Sequence, residues 1–142
     1  MAEAADLEAG LVAWLKADVD LAALVGALVF GGEMPAREAA NMPRKALVLK
    51  GSGGVSITGH SNALHDSQRV DLHGFGETPH EAARVIRTAA LAMRKIDRVV
   101  SAGVLLHWAN TAGGATPMRE PQTEWPKQVQ SFQVFYALEA VG

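Results

Sequence analysis

Cysteine is absent from the 142 residues of the sequence. Disulfide bonds, thiolate metal sites and a cysteine nucleophile are therefore excluded. Long apolar runs are also missing, because the longest, "LAALVGALVF", is far shorter than the roughly 20 residues that span a bilayer. The first residues, "MAEAADLEAG", lack the basic and apolar regions of a signal peptide. We therefore expect a soluble protein, made in the cytoplasm, with no membrane segment.

A strong excess of either charge is missing as well. The chain has 13 lysines and arginines against 15 aspartates and glutamates, which gives a formal net charge of -2. This balance gives no general reason to expect a nucleic-acid or membrane-surface binder. Hydrophobic residues make up 49% of the chain, as in ordinary globular proteins. The length suits one such unit, so we predict a single domain over residues 1–142.

Helical signals occur in three segments. Apolar residues recur at helical spacing over residues 4–17, and a short second helix follows, with Asp18 or Asp20 as its cap and Gly26 at its end. A longer amphipathic helix is predicted over residues 78–95.

Strand patterns occur in four segments: "KALVLK", "SQRVDLHGF", "AGVLLHWAN" and "VQSFQVFYAL". "ALVF" is a brief extended piece, and we predict loops for "GSGGVSITGHSNALHDS" and "NTAGGATPMREPQTEWPKQ", which are rich in glycine, proline and polar residues. The order is helix, strand, strand, helix, strand, strand. It predicts an α+β fold with a four-stranded, mainly antiparallel sheet and helices packed on one face.

The stretch "VDLHGFGETPHEAARV" has a G-x-G pair before a helix, as phosphate-binding loops do. It lacks the third glycine of a dinucleotide loop and the G-K-[ST] of a P-loop. "TPHE" is a capping box in which Thr78 accepts from the amide of Glu81 and Glu81 accepts from the amide of Thr78. We interpret Gly74 and Gly76 as turn residues, and the whole stretch as a joint between strand and helix.

Catalytic and metal-binding patterns are not found. None of the serines lies in a G-x-S-x-G elbow, and no pair of carboxylates has an acid–base arrangement. No two of the five histidines have the spacing of metal ligands; they are His60, His65, His73, His80 and His107. We therefore predict no enzyme and no cofactor or metal. One possibility stays open, that His73 and His107 are neighbours across the sheet.

Contact surfaces are the remaining candidates. Arg84 and Arg87 belong to a basic helix face, which suits a solvated surface first, a subunit contact second and nucleic acid third. Trp125 lies in the proline-flanked segment "TEWPK", so it either folds back onto the body or meets a partner. His73 and His107 are expected to be surface or interface residues.

The order of these motifs resembles the tail terminator (tail-completion) proteins of long-tailed phages. "LKADVDLAALVGALVFGGEMP" is similar to the opening of that family, an N-terminal helix followed by a pattern close to D-x-x-L-x-x-L-V-G. The residues that carry this pattern are Asp18, Leu21, Leu24, Val25 and Gly26, followed by Val29 and Pro35. A later strand and helix start also match, through Arg69, Val70, Leu72, Phe75, Thr78, Glu81 and Ala82. The resemblance covers nearly the whole chain, but the segment from Asn110 to Lys127 is longer than in the family.

This resemblance implies a structural role in the virion, at the head-proximal end of the tail, with assembly in the host cytoplasm. Such proteins form a hexameric ring that caps the tail-tube protein, ends tube growth and provides the surface for a head-neck connector protein. DNA passes through the ring without specific binding. Two alternatives stay open: another neck or head-closure protein, and a small metal- or ligand-binding domain that uses His73 and His107.

Overall fold

The computed structural model describes residues 3–59 and 61–141, so His60 lies outside the described residues. The helices of this part of the chain are α1 (Leu7–Lys16), α2 (Val19–Val25), α3 (Ala36–Ala39) and α4 (Pro79–Arg94). Its strands are β1 (Val29–Gly31), β2 (Ala46–Gly53), β3 (His65–Phe75), β4 (Asp97–Ser101), β5 (Val104–Thr111), β6 (Thr116–Arg119) and β7 (Pro126–Ala137).

The strands form one mixed sheet that curls strongly into a half-barrel. Its order is β1-β2-β3-β7-β5-β4, and β6 pairs with β7 beside this path. β1 is parallel to β2, and the other pairs are antiparallel. A parallel pair needs a crossover of a dozen or more residues, and residues 32–45, which contain α3, supply it.

The prediction of a four-stranded, mainly antiparallel sheet is therefore wrong. The three strands that it left out of the sheet have weak sequence signals. β1 overlaps "ALVF", which was predicted only as a brief extended piece, and has three residues, and β4 is a polar segment directly after α4. β6 lies inside the proline-rich segment that was predicted to be a loop. Pro117 is tolerated there because β6 pairs on one side only, with β7. β5 and β6 pair with successive parts of β7 on the same side, and residues 112–115 form an insertion between them.

Capping residues set the helix boundaries largely as predicted. The Asp18 side chain accepts from the amide of Leu21 at 2.9 Å, and Gly26 ends α2 with a φ of 61°. The Thr78 side chain accepts from the amide of Glu81 at 3.2 Å and begins α4. The predicted return bond differs, because Glu81 accepts from the amide of Glu77, at 2.8 Å, rather than from that of Thr78.

The G-x-G pair allows α4 to approach the sheet closely. Of the two predicted turn residues, only Gly76 lies in the connection between β3 and α4. Gly74 is a residue of β3, and a Cβ at that position would lie 2.7 Å from Cγ1 of Ile86. A Cβ on Gly76 would lie 2.7 Å from the backbone nitrogen of Ala82. Both distances are too short for real carbon contacts. These glycines are therefore needed because of the space that the first turns of α4 occupy.

The main core lies between the sheet and the helices α1, α2 and α4. α4 contacts β3, β5 and β7, whereas α1 contacts β1, β2, β4 and β5. Trp14 packs against this core and donates its indole N–H to the carbonyl of Ala92 at 2.8 Å, which ties α1 to α4. The largest fully buried side chains are Phe132, Leu11, Leu15, Leu21, Leu47, Leu49, Leu72, Ile86, Met93 and Leu106.

Among the described residues, no helix has the length and apolar character that crossing a membrane requires.

The close approach at Gly76 predicts a stability difference between two glycine-to-alanine variants. Gly76→Ala places a methyl group against the backbone of α4, so we expect unfolding to become easier by about 1–3 kcal/mol. Gly114→Ala is the matched control, because no heavy atom lies within 4 Å of its added Cβ, and it should change stability by no more than about 0.5 kcal/mol. Urea unfolding measures both. Equal midpoints for the two variants would contradict the account.

Candidate interaction surfaces

The sheet has one surface on the side opposite to α4, which we call the open face. Side chains alternate along a strand, so Val70 and Leu72 of β3 enter the main core while the residues between them point the other way. The open face is formed by Ser67, Arg69, Asp71 and His73 of β3, Ser131, Gln133 and Phe135 of β7, and Trp108 of β5.

Polar side chains in the middle of the open face bond to one another. Asp71 accepts hydrogen bonds from the hydroxyls of Ser131 and Ser52. Arg69 donates to the Ser131 hydroxyl at 3.1 Å, and its Nε lies 3.7 Å from Oδ1 of Asp71. These polar groups therefore satisfy one another in the middle of the open face.

Aromatic and imidazole rings gather at one end of the open face. Phe135 stacks on Trp108 with ring centroids 5.4 Å apart and contacts His107 at 5.1 Å. β5 has a bulge between Leu106 and Trp108, and the extra residue in a bulge brings two successive side chains to one surface. Nε2 of His107 lies 2.9 Å from Nδ1 of His65, so the two imidazoles share a hydrogen bond.

His73 and His107 are not neighbours, so the possibility left open for them is excluded. His73 pairs with Val129 on β7, whereas His107 contacts Phe135, six positions further along the same strand. This separation corresponds to about 20 Å along a β-strand. The partner of His107 is His65, and no spacing in the sequence marks that pair. Only the register of β3, β7 and β5 brings the two rings together.

Trp125 lies at the other end of the open face and folds back onto the body. Its ring meets Phe75 edge-on, with centroids 6.2 Å apart, in a second apolar cluster with Val48 and Ala46. Trp125 also lines a groove of about 220 Å³, whose other lining residues are Glu33, Met34, Ala39, Val48, Lys50, Phe75 and Glu120. The tryptophan is therefore half-buried and still faces a groove that is large enough for one side chain of a partner.

An ion pair between a buried lysine and a half-buried glutamate anchors the segment that carries Trp125. Nζ of Lys127 lies 2.7 Å from Oε2 of Glu120 and 3.5 Å from Nδ1 of His73. Burial, reinforced by the nearby charges of Lys127 and Lys50, lowers the pKa of His73 to about 4. His73 is therefore neutral at physiological pH, when its Nδ1 can accept from the ammonium group.

The connection between β2 and β3 presents apolar side chains to solvent. Val55, Ile57 and Leu64 are 76%, 58% and 54% exposed, and we call these three residues the loop patch. Asp66 holds the loop in shape by accepting from the Ser56 hydroxyl and from the amides of Ile57 at 2.9 Å and Thr58 at 3.3 Å.

These hydrogen bonds favour the ionised form of the Asp66 carboxyl. The bond from Ser56, followed by the bond from the amide of Ser67, lowers the pKa of Asp66 to about 2. The loop patch is thus a shaped apolar surface, which is unusual for a segment that otherwise carries little but small polar residues.

The basic residues of α4 lie on its solvent side. Arg84 and Arg87 are both exposed, as the helical pattern predicted. Arg84 also lines a shallow groove of about 340 Å³ between α2 and α4, together with Asp20, Ala23, Leu24, Thr88 and Leu91. Leu91 is 62% exposed, so this groove presents a large apolar side chain beside the charged groups of Asp20 and Arg84.

Within residues 3–59 and 61–141, no three histidine or carboxylate residues converge as a metal site would require. The candidate contact features of the described residues are therefore the two grooves and the loop patch. The polar groups in the middle of the open face bond to one another.

Comparison with solved structures identifies the fold. The chain has the fold of a virion protein. A chain of the virion of a native gene transfer agent particle superposes with a TM-score of 0.67 and 18% sequence identity, and the match covers 92% of this chain and 94% of that one. No protein-family model matches the sequence, and no curated protein matches it either. The likeness is thus one of backbone structure over nearly the full length of both chains.

The bonds to Asp66 predict that the loop patch loses its shape when the carboxyl is removed. In Asp66→Ala we expect amide hydrogen exchange at Ile57 and Thr58 to accelerate by roughly tenfold or more, because bonds to a charged acceptor are among the stronger ones. Asp71→Ala removes a carboxylate from the same strand and should leave both amides unchanged. Unchanged exchange in Asp66→Ala would show that the loop does not depend on this group.

The same protection should depend on pH in a defined window. The folded-state pKa of Asp66 lies below its ordinary value of 3.8, so the bonds contribute fully above about pH 4. They are lost as the pH falls towards 2. Exchange rates at Ile57 and Thr58, corrected for the intrinsic pH dependence of exchange, should rise across this window in the wild type but not in Asp66→Ala.

Proposed function

We propose that this chain is a structural protein of a phage virion and that it acts there as a tail terminator. The observation that carries the proposal is the fold, which agrees over nearly the full length of both chains with a chain of a gene transfer agent virion. The order of the sequence motifs resembles that in the tail terminators. It supports the same class of protein independently of the fold.

The family-like segments have defined structural roles in this chain. Asp18 caps α2, Gly26 ends it, and β1 follows at once, so the D-x-x-L-x-x-L-V-G pattern forms a compact unit against the main core. Thr78 and Glu81 begin α4 on the sheet. This agreement between motif order and structure supports the proposal of a tail terminator. The likeness of fold alone supports only a virion protein.

In the proposed role the chain acts by assembly rather than by chemistry. Six copies form a ring at the head-proximal end of the tail, one side docks on the tail-tube protein and ends its growth, and the other side receives a head-neck connector protein. The ring size comes from the family resemblance. DNA passes through without sequence-specific contacts, which suits a chain whose formal net charge is -2.

Three surfaces are proposed for these contacts. The loop patch is apolar and shaped, the groove beside Arg84 exposes Leu91, and the groove beside Trp125 takes one side chain. Three further residues are proposed as secondary contacts. These are Arg87 on the solvent side of α4, and His73 and His107 on the open face. Two different surfaces with exposed apolar side chains on one chain favour a head-to-tail contact between copies, and such contacts form a ring when the rotation between copies closes.

Self-association measures the proposed role of the loop patch. For the wild type, multi-angle light scattering should give six times the monomer mass, either as the mass of the free protein or as the mass that it adds to purified tail tubes. Ile57→Asp places a charge in the patch and should abolish the ring without changing the unfolding midpoint, because the side chain is 58% exposed. Asn62→Asp adds the same charge to an exposed polar position of the same loop and should assemble normally.

The two parts of this proposal fail in different ways. A wild-type protein that stays monomeric both alone and with tail tubes contradicts the ring. A ring that forms equally well from Ile57→Asp leaves the ring standing and contradicts the assignment of the loop patch as its interface.

A further inference from the structure

The proposed assembly does not explain why two imidazoles face each other at the end of the open face. His65 is the first residue of β3 and His107 lies in the bulge of β5, and each ring reaches across β7 from one side. Their facing nitrogens, Nδ1 of His65 and Nε2 of His107, are 2.9 Å apart. Both rings are only half-buried, so a small ion has access to them.

We propose that His65 and His107 form a two-histidine binding site for a divalent transition metal of the Cu²⁺ or Ni²⁺ class. Water completes the coordination, because no three histidine or carboxylate residues of the described part of the chain converge there. The proposal does not depend on the proposed virion function.

The type of donor selects the class of metal. The two facing nitrogens are 2.9 Å apart because they share a hydrogen bond, and this separation lets both bind one ion at bond lengths of about 2.0 Å. For nitrogen donors, affinity among divalent first-row metals rises through Ni²⁺ to Cu²⁺ and is lower for Zn²⁺. Imidazole nitrogen in a tetragonal arrangement is a preferred environment for Cu²⁺ and Ni²⁺.

The surroundings keep the rings ready to bind. In the metal-free pair one ring donates its N–H to the other. Coordination moves that proton to the far nitrogen of the donating ring, so both facing nitrogens become ligands without net proton release. Phe135 lies against both rings and limits their rotation.

Titration of tag-free protein with CuCl₂ tests the site. Calorimetry should show one tight site in the wild type, and electron paramagnetic resonance should show two nitrogen ligands. His65→Ala and His107→Ala should each weaken Cu²⁺ binding by at least about tenfold, since even the loss of a group that only supports a metal ligand has an effect of this size. His80→Ala removes an exposed histidine from the first turn of α4 and should bind like the wild type.

Two results would overturn the proposal. One is a wild-type spectrum with fewer than two nitrogen ligands. The other is a Cu²⁺ affinity that is the same in the wild type and all three variants, which indicates adventitious binding only. Circular dichroism of each variant shows whether it is folded. If one of the two ligand variants unfolds, the other still decides the outcome, because each removes one of the two proposed nitrogens.

Discussion

Strand β7 pairs with β3 along all 11 residues of β3, and on its other side it pairs with β5 and β6. The rest of the structure depends on this register. It places Val134 and Phe132 in the main core under α4, and it places Ser131, Gln133 and Phe135 on the open face. A slip of one residue would exchange the two sets and expose the core, so the register is strongly determined by burial.

The same register produces both ends of the open face. At the end of β7 it brings His65 and His107 together around Phe135. At its start it sets Lys127 beside His73 and Glu120, beneath the segment that carries Trp125. Surfaces that are far apart in sequence thus become neighbours through one strand. α4 completes the arrangement, because Gly74 and Gly76 let it lie close enough to cover the opposite side of the sheet.

Strong local signals made part of this structure predictable from the sequence. The capping residues Asp18 and Thr78 begin their helices, and the alternating pattern around Phe132 belongs to a strand, as expected. The strand count was not predictable, because β1 is three residues long and β6 contains a proline. Their strand geometry comes from pairing with β2 and β7, a tertiary effect that no local pattern encodes.

The candidate surfaces were predictable to a smaller extent. Exposure of Arg84 and Arg87 follows from helical periodicity, and both positions are exposed. The pair of His65 and His107 could not be found from spacing, because 42 residues separate the two histidines and their contact depends on a bulge. The role of Asp66 was also hidden, since a carboxylate at the start of a strand usually faces solvent, whereas here it shapes a loop that presents three apolar side chains.

The proposed role, ending tube growth in a virion, accounts for a chain that combines a well-packed core with exposed apolar side chains. Tube length is the quantity that this role controls. Electron microscopy of tails assembled with and without the chain therefore tests the central claim most directly. The account predicts tubes of uniform length joined to heads when the chain is present, and overgrown, headless tubes when it is absent. Tubes of normal length in its absence would contradict it.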